Sequence, residues 1–143
     1  MYYWDTSALV KLFIREIGTD DALALRADAP PHATATIAYT ETFSAFRRRV
    51  REAALKAPHY HEVVRRFVQE WPAYVRINLD ERILERSRTL LERYPLRTLD
   101  AIHLASAIEL QEQLDEPSML ISADAQLLRA AMAERLETKR ILL

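Results

Sequence analysis

The chain has no cysteine and a single glycine, Gly18. Without cysteine there is no disulfide, no thiolate metal site and no Cys nucleophile. One glycine cannot build a P-loop or a dinucleotide fingerprint, each of which needs several so that backbone can approach phosphate. Long apolar runs are missing as well: none approaches the roughly 20 residues that span a bilayer. The opening "MYYWD" has no basic region followed by an apolar one. The expectation is a cytoplasmic protein with no membrane association. Nor is there an excess charge of one sign, since 20 Lys and Arg meet 21 Asp and Glu for a net −1, which points to no partner. The basic side is nevertheless lopsided, with 17 arginines to 3 lysines, and Arg suits bidentate contact with phosphate or carboxylate.

What remains is globular composition. Half of the 143 residues are hydrophobic and 29% are charged, enough to bury a real core. No Pro/Gly/Ser linker, repeat or low-complexity segment divides the chain, so residues 1–143 read as a single domain.

Residues 1–5, "MYYWD", read as a strand. Thr6 or Ser7 is expected to cap a helix through "ALVKLFIRE", where Leu9, Leu12 and Phe13 recur at helical spacing. Gly18 breaks the chain, and "TDDALALRAD" follows as a short helix. After Pro30–Pro31, "HATATI" alternates as a second strand. A long helix is expected over 37–56, interrupted by Pro58, and another over 59–70 that stops near Pro72. "AYVRINL" is the third strand and "DERILERSRTLLERY" an amphipathic helix. The next helix, opened by Thr98, carries Leu99, Ile102, Leu104, Ala105 and Ile108. "SMLIS" is a buried-type strand, "DAQLLRAAMAE" a helix, and "LETKRILL" holds the last strand. Strands alternating with helices imply parallel pairing. The expected class is α/β, a three-layer α/β/α sandwich around a central parallel sheet.

Sites in such sheets form outside the carboxyl ends of the strands. Asp5 ends the first strand, Asp124 follows "SMLIS", Glu41 lies in the first turns of the long helix, and Asp100 opens its helix. Each has a bland explanation, as a cap, a solvated residue or a favourable helix-start charge worth about 0.3–1 kcal/mol. Together they are harder to dismiss. Like charges about 4 Å apart cost on the order of 4 kcal/mol per pair at an effective dielectric near 20. A fold that gathers several acids needs a cation or raised pKa values. With no Cys and only scattered His, oxygen ligands suit Mg²⁺ or Mn²⁺, and such sites serve phosphoryl transfer to water.

Four segments carry a resemblance: "YYWDTSALVKLFIREIGTDDA", "ATIAYTETFSAF", "LRTLDAIHLASAIEL" and "LISADAQLLRAA". In order and spacing the chain resembles PIN-domain proteins over almost its whole length, and among them the VapC toxins of bacterial VapBC toxin–antitoxin pairs. The resemblance places the family's three near-universal acids on Asp5, Glu41 and Asp100, and its more variable fourth on Asp124. The family's recurrent hydroxyl falls on Ser122, and the small polar residue after the first acid on Thr6. It implies a Mg²⁺-dependent endoribonuclease acting on RNA, a homodimer, held inactive by a VapB-type antitoxin.

Other residues keep competing readings. His103 reads as a packed, hydrogen-bonded histidine, with a metal-binding or general-base role as the alternative. Arg47, Arg48, Arg49 and Arg51 read as a track for RNA phosphates, an antitoxin contact or a solvated face. Arg65–Arg66 and Arg97 share that ambiguity, Arg97 lying closest to Asp100. Tyr2, Tyr3 and Trp4 read as core, and Phe43, Phe46, Phe67 and Trp71 as core or dimer seam. Two rival functions are available. An Asp-nucleophile phosphatase needs a second Asp two residues after the first, where this chain has Ser7. A catalytically inactive PIN-like interaction or regulatory module would have no need of the intact acids.

Overall fold

Tyr3 and Trp4 are neighbours in the chain, and both are fully buried, in two different cores. Successive residues of a strand point to opposite faces, so this pair alone implies a sheet covered on both sides. The computed structural model, which describes residues 1–28 and 31–142, shows that sheet. Its strands are β1 (Tyr2–Trp4), β2 (His32–Ala35), β3 (Val75–Ile77), β4 (Met119–Ser122) and β5 (Glu137–Arg140). They lie in the order β3-β2-β1-β4-β5, and every pairing is parallel. Pro30 of the expected Pro30–Pro31 break, and Leu143 after the last strand, lie outside the described residues.

Seven helices cover the two faces among the described residues. They are α1 (Thr6–Leu9), α2 (Thr19–Ala27), α3 (Ile37–Arg51), α4 (Ala57–Glu70), α5 (Glu81–Arg93), α6 (Thr98–Leu114) and α7 (Ala125–Ala133). Tyr3 and Leu120 pack with Ile83, Leu90, Leu104 and Leu127 from α5, α6 and α7. Trp4 and Ile121 pack with Leu9, Phe46, Phe67 and Ile141, and Phe13 meets both phenylalanines edge-on. These two cores make the three-layer α/β/α sandwich. Tyr2 is half-buried beside the second core, while Phe46 and Phe67 are core residues outright. Residues Ala101 to Leu110 of α6 are all buried, as expected of a helix flanked by packing on every side. No helix among the described residues is long and apolar enough to cross a membrane.

Several boundaries differ from the sequence expectation. Asp5, not Thr6 or Ser7, occupies the N-cap position of α1, and the helix tightens after Leu9 into a 3₁₀ turn, Val10–Leu12. That turn buries the Lys11 ammonium, which donates to Glu16 Oε1 at 3.0 Å and to the Ile17 carbonyl at 2.8 Å. The helix expected to reach residue 56 ends at Arg51, where Ala53 takes a left-handed φ of 58°. Pro58 lies in the first turn of α4, where its missing N–H is harmless. Arg97, rather than Thr98, precedes α6 at the N-cap. Leu99 is exposed, not packed with its helix neighbours.

From β1 the chain moves to β2 and β3 on one side and returns to β4 and β5 on the other. The strand order therefore reverses beside β1, at the carboxyl edge where open α/β sheets bind ligands. Asp5 sits there, its N–H bonded to the Ile121 carbonyl at 3.0 Å.

Candidate active site

The carboxyl edge opens into a cavity of about 770 Å³, whose lining includes Asp5, Glu41, Asp100 and Asp124. Each acid arrives on a different helix start or turn, and each has one oxygen committed to protein donors. Asp5 Oδ2 accepts from Ser7 Oγ at 2.5 Å and from Ser122 Oγ at 2.7 Å. Its carboxylate makes no cap bond to α1, so capping does not account for this residue. Glu41 Oε1 accepts from Thr6 Oγ1 at 2.9 Å and from His103 Nε2 at 2.7 Å. Asp100 Oδ2 accepts from Arg97 Nε at 3.2 Å. Asp124 Oδ1 caps α7, accepting from the N–H groups of Gln126 and Leu127 at 2.8 and 3.2 Å. The other oxygen of each acid has no hydrogen bond among the described residues, although Asp124 Oδ2 lies 3.9 Å from Arg97 Nη2 and Asp5 Oδ1 lies 3.7 Å from His103 Nε2.

Electrostatics follow from this gathering. Burial pushes the Asp100 carboxyl up, and the charges of Asp5 and Asp124 push it further, against the pull of Arg97. Burial alone would lower the His103 imidazole, but its hydrogen bond to Glu41 and the charges of Asp5, Glu41 and Asp100 outweigh burial and hold it above its ordinary value. Arg97 is the cation nearest the acids, its side chain 84% exposed and placed between Asp100 and Asp124.

Donor chemistry fits a hard divalent cation: four carboxylates, one uncommitted oxygen apiece, lining one cavity. Their spacing is that of an open site. Among the described residues no three His, Asp or Glu side chains stand close enough to hold a metal ion as they are. Among the described residues Arg97 supplies the guanidinium contacts to Asp100 and Asp124.

Residues 2–132 match the PIN domain family. The chain belongs to the PIN-domain family. It is 30% identical over 108 residues to Ribonuclease VapC45 of Mycobacterium tuberculosis, covering 76% of this chain and 75% of that protein. Ribonuclease VapC49 of the same species matches to the same extent. A solved toxin–antitoxin complex from Klebsiella pneumoniae superposes with a TM-score of 0.63 at 25% identity, over 88% of each chain.

Within this PIN domain the arginine run divides. Arg48 and Arg49 line the cavity, but Arg49 is spent on Glu16, donating from Nε and Nη2 to Oε2 at 3.1 and 3.0 Å. Arg47 stacks over the Tyr60 ring at 5.0 Å, and Arg51 is exposed away from the lining. Of the four arginines read as an RNA track, an antitoxin contact or a solvated face, Arg48 and Arg49 reach the cavity, and Arg47 and Arg51 lie outside its lining. Glu41, Ser44, Ala45 and Arg48 recur at helical spacing on one face of α3; Arg51 continues that spacing one turn further along, beyond the lining, and Arg47 is turned to Tyr60.

Three contributors escaped the sequence reading. Ser7 donates to Asp5 and accepts from the Ala123 N–H at 3.0 Å. Lys11 and Glu16 line the same cavity. A lone lysine amid Leu9, Val10, Leu12 and Phe13 was the available signal. His103 is packed and hydrogen-bonded, as its apolar neighbours implied, yet its partners are functional groups.

Proposed function

We propose that this PIN domain is the endoribonuclease toxin of a toxin–antitoxin pair. It hydrolyses RNA phosphodiester bonds with Mg²⁺, or Mn²⁺ in its place, and arrests growth in the cytoplasm until a VapB-type antitoxin binds it as a homodimer. The observation that carries this reading is the set of four carboxylates lining one cavity, each with one oxygen held and one uncommitted. Family membership and the likeness to the two ribonucleases support the same activity.

Asp5, Glu41, Asp100 and Asp124 would hold the ion through their uncommitted oxygens. A divalent cation bound there supplies Lewis-acid stabilisation of phosphoryl charge and activates water. The chain's own groups do the rest. Ser7 and Ser122 fix the plane of the Asp5 carboxylate, and Thr6 and His103 fix that of Glu41. Arg48 lies two helical turns along α3 from Glu41, about 10 Å at 1.5 Å per residue, and contacts a neighbouring phosphate of the strand. Arg97, exposed in the cavity lining beside Asp100 and Asp124, would contact phosphate there. An inactive interaction module has no use for four carboxylates brought to one cavity.

Incubating RNA with purified protein tests the activity. Cleavage in Mg²⁺ and none in chelator is expected; equal cleavage in both, or none in either, contradicts it. Growth arrest on expression, relieved by the product of a small adjoining reading frame, tests the partner.

A further inference from the structure

We propose that His103 is the positioning residue for Glu41, turning its Oε1 away so that Oε2 faces the cavity, and that Tyr3 sets the histidine for this task. The inference rests on the cation site proposed above and concerns how that site is held open to one ligand.

Glu41 enters the cavity on three rotatable bonds from α3, so its carboxylate is not oriented by backbone alone. Two donors converge on Oε1: Thr6 Oγ1 at 2.9 Å and His103 Nε2 at 2.7 Å. A carboxylate only accepts, so Nε2 carries a proton. On the other side of the ring, Nδ1 lies 2.8 Å from the Tyr3 hydroxyl. When the ring is neutral, Tyr3 donates to Nδ1 and thereby fixes the proton on Nε2, opposite Glu41. Both His103 and Tyr3 are fully buried, and their rings meet edge to face at 5.9 Å. Turning the imidazole away would strand two buried polar groups, which costs more than either bond contributes. Four elements meet in this relay: β1 through Tyr3, α6 through His103, α1 through Thr6 and α3 through Glu41.

The same geometry excludes the other roles open to a histidine at this place. Nδ1 is spent on Tyr3 and Nε2 on Glu41, and His103 is not among the residues lining the cavity. No free lone pair faces a cation or a water there. The ring acts through Glu41.

Mn²⁺ binding by electron paramagnetic resonance, without RNA, tests this directly. His103→Leu keeps the volume and removes the donor, and should weaken Mn²⁺ binding about tenfold, the lower end for lost outer-shell partners. In a Glu41→Gln background the same change should have no further effect, because the partner it acts through is already altered. His103→Gln, whose amide N–H reaches toward Glu41, should restore most of the affinity. Tyr3→Phe, which keeps the ring and removes only the hydroxyl, should give a smaller loss that also disappears in Glu41→Gln. If His103→Leu does not fold, the Tyr3→Phe comparison decides alone. An equal loss in both backgrounds makes the role merely structural and overturns the proposal, as does no loss in either. Wild-type protein that binds no Mn²⁺ overturns the cation site itself, and this inference with it.

Discussion

Ser122 Oγ donates to Asp5 Oδ2 at 2.7 Å, tying the end of β4 to the end of β1 across 117 residues of chain. Both side chains are buried, and the same hydroxyl accepts the Asp124 N–H at 3.0 Å. One oxygen therefore orients the first acid and starts the turn that carries the fourth. Ser122→Ala should destabilise the fold by about 1–2 kcal/mol, the cost of buried groups losing a partner. RNA cleavage should fall with it, since Ser7 alone then orients Asp5. Urea unfolding checks the first effect and a cleavage assay the second.

Asp100 shows what gathering the acids costs. Burial and its acidic neighbours disfavour its charge, so Asp100→Asn should raise the melting temperature in chelator. Loss of a helix-start charge works the other way, by about 0.3–1 kcal/mol, and the exposed Arg97 pair adds little. In millimolar Mg²⁺ the order should reverse, because a ligand that binds only the native state stabilises it by RT ln(1 + [L]/Kd). A variant that melts lower in chelator, beside a wild type indifferent to Mg²⁺, would leave Asp100 as a helix-start residue only.

The division of the arginine run predicts unequal effects on RNA. Arg48→Gln should reduce the log–log salt slope of single-stranded RNA binding by about 0.7, one phosphate contact. Arg51→Gln should leave it unchanged. Arg49→Gln should act on stability through Glu16 instead. Equal slopes for Arg48→Gln and wild type would move Arg48 off the RNA path.

His32 gives the pH dependence. Trp4 Nε1–H donates to His32 Nδ1 at 3.0 Å, so the neutral ring's proton sits on Nε2, buried without a partner among the described residues. Burial pushes this imidazole below its ordinary value, and Arg26 adds in the same direction. Below about pH 6.5 the unfolded chain therefore binds the proton more readily than the folded one. Stability present above that pH is lost as pH falls toward the depressed folded value. His32→Gln keeps an acceptor for Trp4 and does not titrate. Relative to it, wild type should lose stability between about pH 7 and pH 5 in urea unfolding.

Much of this architecture is legible in the sequence, for identifiable reasons. Asp5 and Asp124 stand where apolar strand runs give way to helix, and that junction is visible without coordinates. Glu41 and Asp100 are legible only in their company. Partnerships made by the fold are not legible. His103 and Glu41 are 62 residues apart, and no local pattern pairs them. Lys11 is buried only because Glu16 and the Ile17 carbonyl receive it, against the usual exposure of lysine. The arginine run keeps its competing readings in the sequence because its contacts are made across the fold, Arg49 with Glu16 and Arg47 with the Tyr60 ring. Spacing by seven does set Arg48 on the same face of α3 as Glu41.

The most direct measurement pairs occupancy with chemistry: Mn²⁺ titrated into wild type and Asp5→Asn, with bound ion and RNA cleavage followed in the same samples. Cleavage by wild type should rise in step with bound Mn²⁺ and vanish in chelator, while Asp5→Asn, folded and as heat-stable, should neither bind well nor cleave. Undiminished cleavage in chelator, or wild-type cleavage by Asp5→Asn, would contradict the assignment of these carboxylates.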